Sequence, residues 1–216
     1  MNVLSRLRPL IITVVAVAGL TAGVAYATGA VAPGSPTDGP PAPALPDTGV
    51  TSVTPADGVA FPVLGRAPTA SDTLPAAALN ILGAQQQSFQ LAPRLARLVS
   101  SSASGDVYLV PGSGELCLVT VTSAGQASSG CSTDSEARSQ GLTLIAAPNS
   151  GQPDYVVTGV TPGTSTQATI ATADGGTTRA AVSSGGGYSA ALTSAPVSVT
   201  AGGGTQDVTQ FPVPTG

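Results

Sequence analysis

The stretch Asp106–Cys131, DVYLVPGSGELCLVTVTSAGQASSGC, holds the densest run of large apolar residues beyond the N-terminus, together with both cysteines of the chain. Val107-Tyr108-Leu109-Val110 is β-branched and aromatic-rich, the composition that suits a pleated, half-buried surface. Pro111-Gly112-Ser113-Gly114 supplies a turn, because glycine takes positive φ at little steric cost. Leu116-Cys117-Leu118-Val119-Thr120-Val121 then reads as the return strand. Side chains alternate across a strand, so Leu116 and Leu118 share one face while Cys117, Val119 and Val121 share the other. Both faces are apolar, which predicts a central strand covered on each side.

Cys117 and Cys131 are the only cysteines, and the sequence has no histidine. Two cysteines without histidine, spaced unlike C-x-x-C, make a poor metal site. A structural disulfide is the expected role, provided the domain lies outside the cytoplasm. Closing a loop of roughly 15 residues, it would contribute about 3 kcal/mol in the chain-entropy model. A redox-active or regulatory pair at the same two residues is the alternative reading.

Charged residues make up 8% of the 216-residue chain and aromatics 3%, against about 25% charged in an average globular protein. Much of the apolar fraction is alanine, so the core is expected to be thin. All seven basic residues are arginine. Without Arg6 and Arg8, five arginines face eleven acids, a net charge of −6. An acidic, lysine-free domain is a poor match to phosphate backbones, so no nucleic-acid partner is expected.

Outward from the hairpin, the chain begins with a short positive segment carrying Arg6 and Arg8. Leu10–Ala27 follows, 18 residues without a charge. This reads as a secretory signal, with a cleavage site after Ala27, or as a single membrane anchor with its N-terminus inside. Residues 28–60 are rich in proline and glycine and have little to bury, which predicts a disordered, semi-rigid stalk. Leu45-Pro46-Asp47-Thr48-Gly49 fits a sortase pattern but lacks the hydrophobic segment and basic tail that must follow it. Asp47-Thr48-Gly49 also fits half of an aspartic-protease pair, which needs a second carboxylate held beside it. Neither match carries a function.

Phe61–Gly216 reads as a β-rich extracytoplasmic domain, with a sub-division near 148–153. Ala76–Gln87 has good helix propensity, with Thr73 as its N-cap and Leu79 and Leu82 on one face. Arg94–Val99 reads as one helical turn followed by a short strand. Thr133-Asp-Ser-Glu136 is a capping-box pattern, and Gly141 is placed to end that two-turn helix. Leu142–Ala147 and Pro153–Val160 read as strands. Recurrent turn signals at Pro162-Gly163, Asp174-Gly175-Gly176, Gly185-Gly186-Gly187 and Gly202-Gly203-Gly204 then separate short runs of an antiparallel meander. The fold class is mainly β: antiparallel, sandwich-like sheets with one or two short helices, behind the N-terminal segment and its linker.

The succession FPVLGRAPTASDTLP, VYLVPGSGELCLVTV, GCSTDSEARSQGL and VVTGVTPGTSTQATIATADGGTTRAAVSSGGGYSAAL resembles a group of exported actinobacterial proteins of unknown function. In that group a VPG-turn strand with a cysteine, a Gly-Cys before a short helix, and an A-D-G hairpin recur. The resemblance covers Phe61 to the C-terminus and implies a fold without an activity. Gly163-Thr-Ser-Thr166 departs from the group's usual turn.

Without histidine and lysine, Ser-His, Cys-His, Ser-Lys and Schiff-base mechanisms are unavailable. Gly112-x-Gly114 lacks the lysine of a phosphate loop and the third glycine of a dinucleotide fingerprint. Carboxylate chemistry remains, with Asp134 and Glu136 as the nameable pair, and a histidine-free hydrolase is a further alternative. Both residues are explained more simply by the dipole of the helix they open. Calcium binding at Asp106 or Asp174 has no D-x-D cluster behind it. No catalytic residue, metal or cofactor is expected. The sequence points to a non-catalytic domain, tethered or secreted, that meets another envelope protein or the cell wall.

Overall fold

The computed structural model describes residues 50–148 and 154–208. The expected export segment 10–27, cleavage point after Ala27 and LPDTG match lie outside these residues. No helix among the described residues is long and apolar enough to cross a membrane.

The fold is mainly β, in three antiparallel sheets. The first joins β1 (Arg97–Ser102), β2 (Gly105–Pro111), β3 (Glu115–Thr122) and β4 (Ala127–Thr133) in chain order. The second comprises β5 (Leu142–Ala146), β6 (Tyr155–Val160) and β9 (Gly187–Leu192), with β6 in the middle. The third is ordered β11 (Gly204–Asp207), β10 (Pro196–Ala201), β7 (Gln167–Thr172) and β8 (Thr177–Ala181). The C-terminal runs therefore do not form one meander. Consecutive strands β8 and β9 belong to different sheets, and the glycine-rich turn between them crosses from one to the other.

The central hairpin folds as its residues require. Val110 lies opposite Cys117 and Pro111 opposite Leu116. Leu116 and Leu118 enter one apolar cluster, with Val107 and Leu109 of β2. Cys117, Val119 and Val121 enter another, with Tyr108 and Val110. The sheet is covered on both faces, and Leu109, Leu116, Leu118 and Val119 are wholly buried. A third cluster, built on Val157, Ile170, Tyr188, Leu192 and Val199, is shared by the two smaller sheets.

Helices are more numerous than the sequence suggests: α1 (Pro55–Ala60), α2 (Pro62–Gly65), α3 (Ala76–Phe89) and α4 (Asp134–Gln140). Among the described residues only α3 exceeds seven residues. It covers the Cys117 face, burying Ala78 and Leu82, with Leu79 packed alongside. Thr73 is not its N-cap; its N–H donates to Ala70 O and closes a 3-10 turn at Ala70–Asp72. A 3-10 turn at Pro93–Leu95 leads into β1. α4 is capped by Thr133 and ends at Gly141, whose φ of 81° suits a residue without Cβ.

The boundary at Phe61 needs correction, because packed structure begins upstream of it. Thr54 caps α1, Val53 and Ala60 pack against the first cluster, and Asp57 is buried. Residues 55–60 thus belong to the folded region and not to a stalk. The reason is a Pro at the first helical turn, which starts a helix where the sequence reads as spacer. The expected sub-division falls mainly on residues 149–153, outside the described chain. The first cluster nonetheless joins Leu109 and Leu118 to Leu142, Leu144 and Val160, packing β5 and β6 onto the first sheet.

Candidate binding groove

Thr69 caps the 3-10 turn that Asp72 closes, and Asp72 holds Arg66 and Leu98, two residues that line a concave surface. Asp72 is buried, with 4% of its side chain exposed. Its carboxylate accepts Arg66 Nη1 and Nη2 at 2.7 and 2.6 Å, the Thr69 N–H and hydroxyl, and the Leu98 N–H at 2.8 Å. Burial alone would raise the pKa of this acid. The bonds from Arg66, Leu98 and Thr69 override it and hold the carboxyl well below the usual range. Arg66 in turn is held protonated by Asp72.

These contacts close the outer edge of β1. Leu98 N–H is taken by Asp72 and Leu98 O is approached by Arg66 Nη2 at 3.4 Å. Val99 O accepts the Ser183 hydroxyl at 2.7 Å. An unpaired strand edge is a template for unwanted pairing, and here side chains occupy it. Behind the edge, Arg97 is buried and donates to the carbonyls of Arg66, Leu95 and Ala96. Burial lowers its pKa, with Asp72 acting against that and Arg66 with it.

The turn between β8 and β9 forms the opposite wall. A Cβ on Gly185 would lie 2.4 Å from Val99 O, so only glycine lets the turn approach β1 this closely. Between the walls lies an open groove of about 420 Å³. Pro62, Val63, Leu98 and Val99 are its apolar lining and Ser100, Ser101, Ser183 and Ser184 its serines, with Arg66 beside them; the Ser101 and Ser183 hydroxyls are already given to Asp106 and to Val99 O. Three segments distant in sequence, 62–66, 98–101 and 183–185, meet there. Such a surface can hold a ligand by apolar contact and neutral hydrogen bonds, with one guanidinium, itself engaged by Asp72, for orientation.

The residues singled out from sequence lie elsewhere. Cys117 and Cys131 are directly opposite on β3 and β4 and form a disulfide. Cys117 is completely buried beneath α3. Asp134 and Glu136 open α4, but their environments differ. Glu136 accepts the hydroxyls of Thr133 and Ser132, which lower its pKa. Burial raises the pKa of Asp134, Asp57 adds to the rise and Arg138 opposes it. Glu115 is likewise raised by burial and then by Asp134 and Glu136. Asp106 accepts the Ser101 hydroxyl, and Asp174 accepts the Thr172 hydroxyl and Gly176 N–H, closing its own turn. Among the described residues no group of three or more potential ligands could hold a metal ion. Gly112 sits in the hairpin turn, its N–H donating to Glu115 O.

Sequence reading missed Arg66, Asp72, Arg97 and Asp57. A signal was present, since Thr54-x-x-Asp57 and Thr69-x-x-Asp72 repeat the threonine–acid spacing of Thr133-x-x-Glu136. Compared with known proteins, the chain matches no family model, no curated protein and no solved structure.

Proposed function

We propose that this chain is a non-catalytic extracytoplasmic binding domain, tethered or secreted, that engages an envelope protein or a cell-wall component through the Arg66–Ser101–Ser184 groove. The observation that carries the reading is the groove itself, a concave surface where four serines and four apolar residues from three distant segments meet. The charged side chains near it support the same reading. Asp72 is saturated by donors and Arg97 by carbonyls, so both hold the walls in place. The Cys117–Cys131 disulfide suits an oxidising compartment, in keeping with export through residues 10–27. In this reading the two smaller sheets form a sandwich-like lobe whose β8–β9 turn completes the groove.

The test is co-sedimentation of the purified domain with isolated cell-wall sacculi and, separately, with membrane vesicles from the producing cells. The wild-type protein is expected to bind one fraction. Ser184→Trp, which fills the groove from an exposed position, is expected to abolish that binding without changing the melting temperature. Binding that survives Ser184→Trp removes the groove from the proposal, and absence of wild-type binding to either fraction removes the partner class.

A further inference from the structure

Asp57 is the buried acid of α1, and only 3% of its side chain is exposed. It accepts Arg138 Nη1 of α4 at 2.7 Å, a contact spanning 81 positions. The same nitrogen lies 4.0 Å from Asp134 Oδ2. The other oxygen of Asp134, Oδ1, is buried and accepts no hydrogen bond. Two carboxylates therefore share one guanidinium nitrogen, and one of them keeps an orphaned acceptor.

We propose that Asp57, Arg138 and Asp134 form an acid-tightened latch, which holds residues 54–65 on the domain more firmly when Asp134 is neutral than when it is ionised. Ionised Asp134 places a second negative charge beside Asp57, draws on the same guanidinium and leaves Oδ1 without a donor. Neutral Asp134 leaves Arg138 wholly to Asp57. The segment so held is a discrete one. α1 and α2 place Phe61, Val63 and Leu64 in the first cluster, and Ala60 O accepts Gly163 N–H at 2.7 Å.

The surrounding titratable groups are few. On α4, Glu136 is engaged by Thr133 and Ser132. On β3, Glu115 faces Asp134 and Glu136 and adds negative charge, so it favours the neutral form of Asp134. β4 carries no titratable side chain other than the disulfide-bonded Cys131. β11 meets α4 at Gly204, where a Cβ would approach Ser139 O, and its Asp207 lies at the far end of that strand. α2 carries no titratable side chain. Burial and Asp57 push the Asp134 pKa up. A raised folded value means that this group's contribution is fully present below the unfolded aspartate pKa and is lost as pH rises through the folded one. The latch is therefore tighter at low pH, where Asp134 is neutral, than at neutral pH.

The experiment is amide hydrogen exchange on the full chain, expressed as protection factors at about pH 4, near the unfolded aspartate pKa, and at pH 7. The Gly58 and Phe61 N–H groups, which donate to Thr54 O and Asp57 O, report the latch, and Val119 of β3 reports global stability. In the wild type, latch protection is expected to be about tenfold higher at the lower pH, the scale set by removing the charge from one buried carboxylate whose oxygen has no donor. Asp134→Asn and Asp134→Ser are both expected to show the higher value at both pH values, with Val119 protection unchanged or raised. Equal wild-type protection at the two pH values overturns the proposal. So does a loss of latch protection in both variants with Val119 unchanged, which would assign Asp134 to the helix dipole instead. If Val119 protection also falls, Asp134 supports the domain as an ion and the latch is equally overturned.

Discussion

Asp72 and Arg66 form a two-point ion pair, Nη1 to Oδ2 at 2.7 Å and Nη2 to Oδ1 at 2.6 Å, beside the outer edge of β1. The pair joins the segment that enters the domain to the sheet it covers. Because Asp72 is buried while Arg66 is about a third exposed, the two partners are not equivalent.

Asp72→Ala is expected to destabilise the domain by about 3 kcal/mol, because it leaves the Thr69 and Leu98 N–H groups without their acceptor and Arg66 without its partner. Arg66→Ala should cost about half as much, since the backbone donors to Asp72 remain. Urea unfolding of both variants checks the order. The pH dependence has a definite sign. A carboxyl held below its unfolded value contributes stability that is present above about pH 4 and lost as pH falls below it. Asp72→Ala should therefore flatten the acid limb of a stability–pH profile, and an unchanged limb would refute the assignment.

Legibility followed sequence distance. The central hairpin could be read because its register, its turn and its cysteine pair are set within one stretch, Cys117 and Cys131 being 14 residues apart and opposite each other. The Thr133-x-x-Glu136 cap could be read because Gly141 marks the end of its helix. Thr54-x-x-Asp57 follows the same rule, yet it lies in proline-rich sequence that looks like linker. What makes it structure is Arg138, 81 positions away. The third sheet was obscured for a different reason. Its strands carry small Thr, Ala and Ser side chains, so pattern alone does not show that β7 pairs with β10 or that β9 leaves for another sheet. The groove inherits that difficulty, since one of its walls is the turn at which this exchange occurs.

The Cys117–Cys131 disulfide is expected to support the hairpin by restricting the unfolded chain. Replacing both cysteines with alanine should cost about 3 kcal/mol, the loop-entropy contribution for this separation. Alanine is the suitable replacement, because Cys117 is fully buried and a serine hydroxyl there would add a desolvation cost. Equilibrium unfolding of the double variant against the oxidised wild type measures the difference. A loss below about 1 kcal/mol would remove the structural role and favour the redox reading of the pair.

Tyr188 offers a probe of the third cluster from its polar end. Its hydroxyl is 2.7 Å from Thr143 Oγ1, with both residues buried, and its ring lies against Gly159, where a Cβ would come within 2.2 Å of Cζ. Burial pushes the phenol up to about 12, and the bond with Thr143 opposes part of that rise. A phenol whose folded pKa is raised contributes stability that is present below about pH 10 and lost as pH climbs from there toward 12. Tyr188→Phe should cost about 1 kcal/mol near neutrality, through the lost bond and the orphaned Thr143 hydroxyl. It should also remove part of the alkaline decline in stability. Spectrophotometric titration of the folded protein gives the independent check: Tyr188 should stay protonated until the pH approaches 12, and the late part of the phenol transition should lose amplitude in Tyr188→Phe, while Tyr108, also raised by burial, remains. If Tyr188→Phe leaves the high-pH end of the titration unchanged while the protein remains folded, Tyr188 is not sealed beneath β6 and the packing of the second sheet on the third must be redrawn.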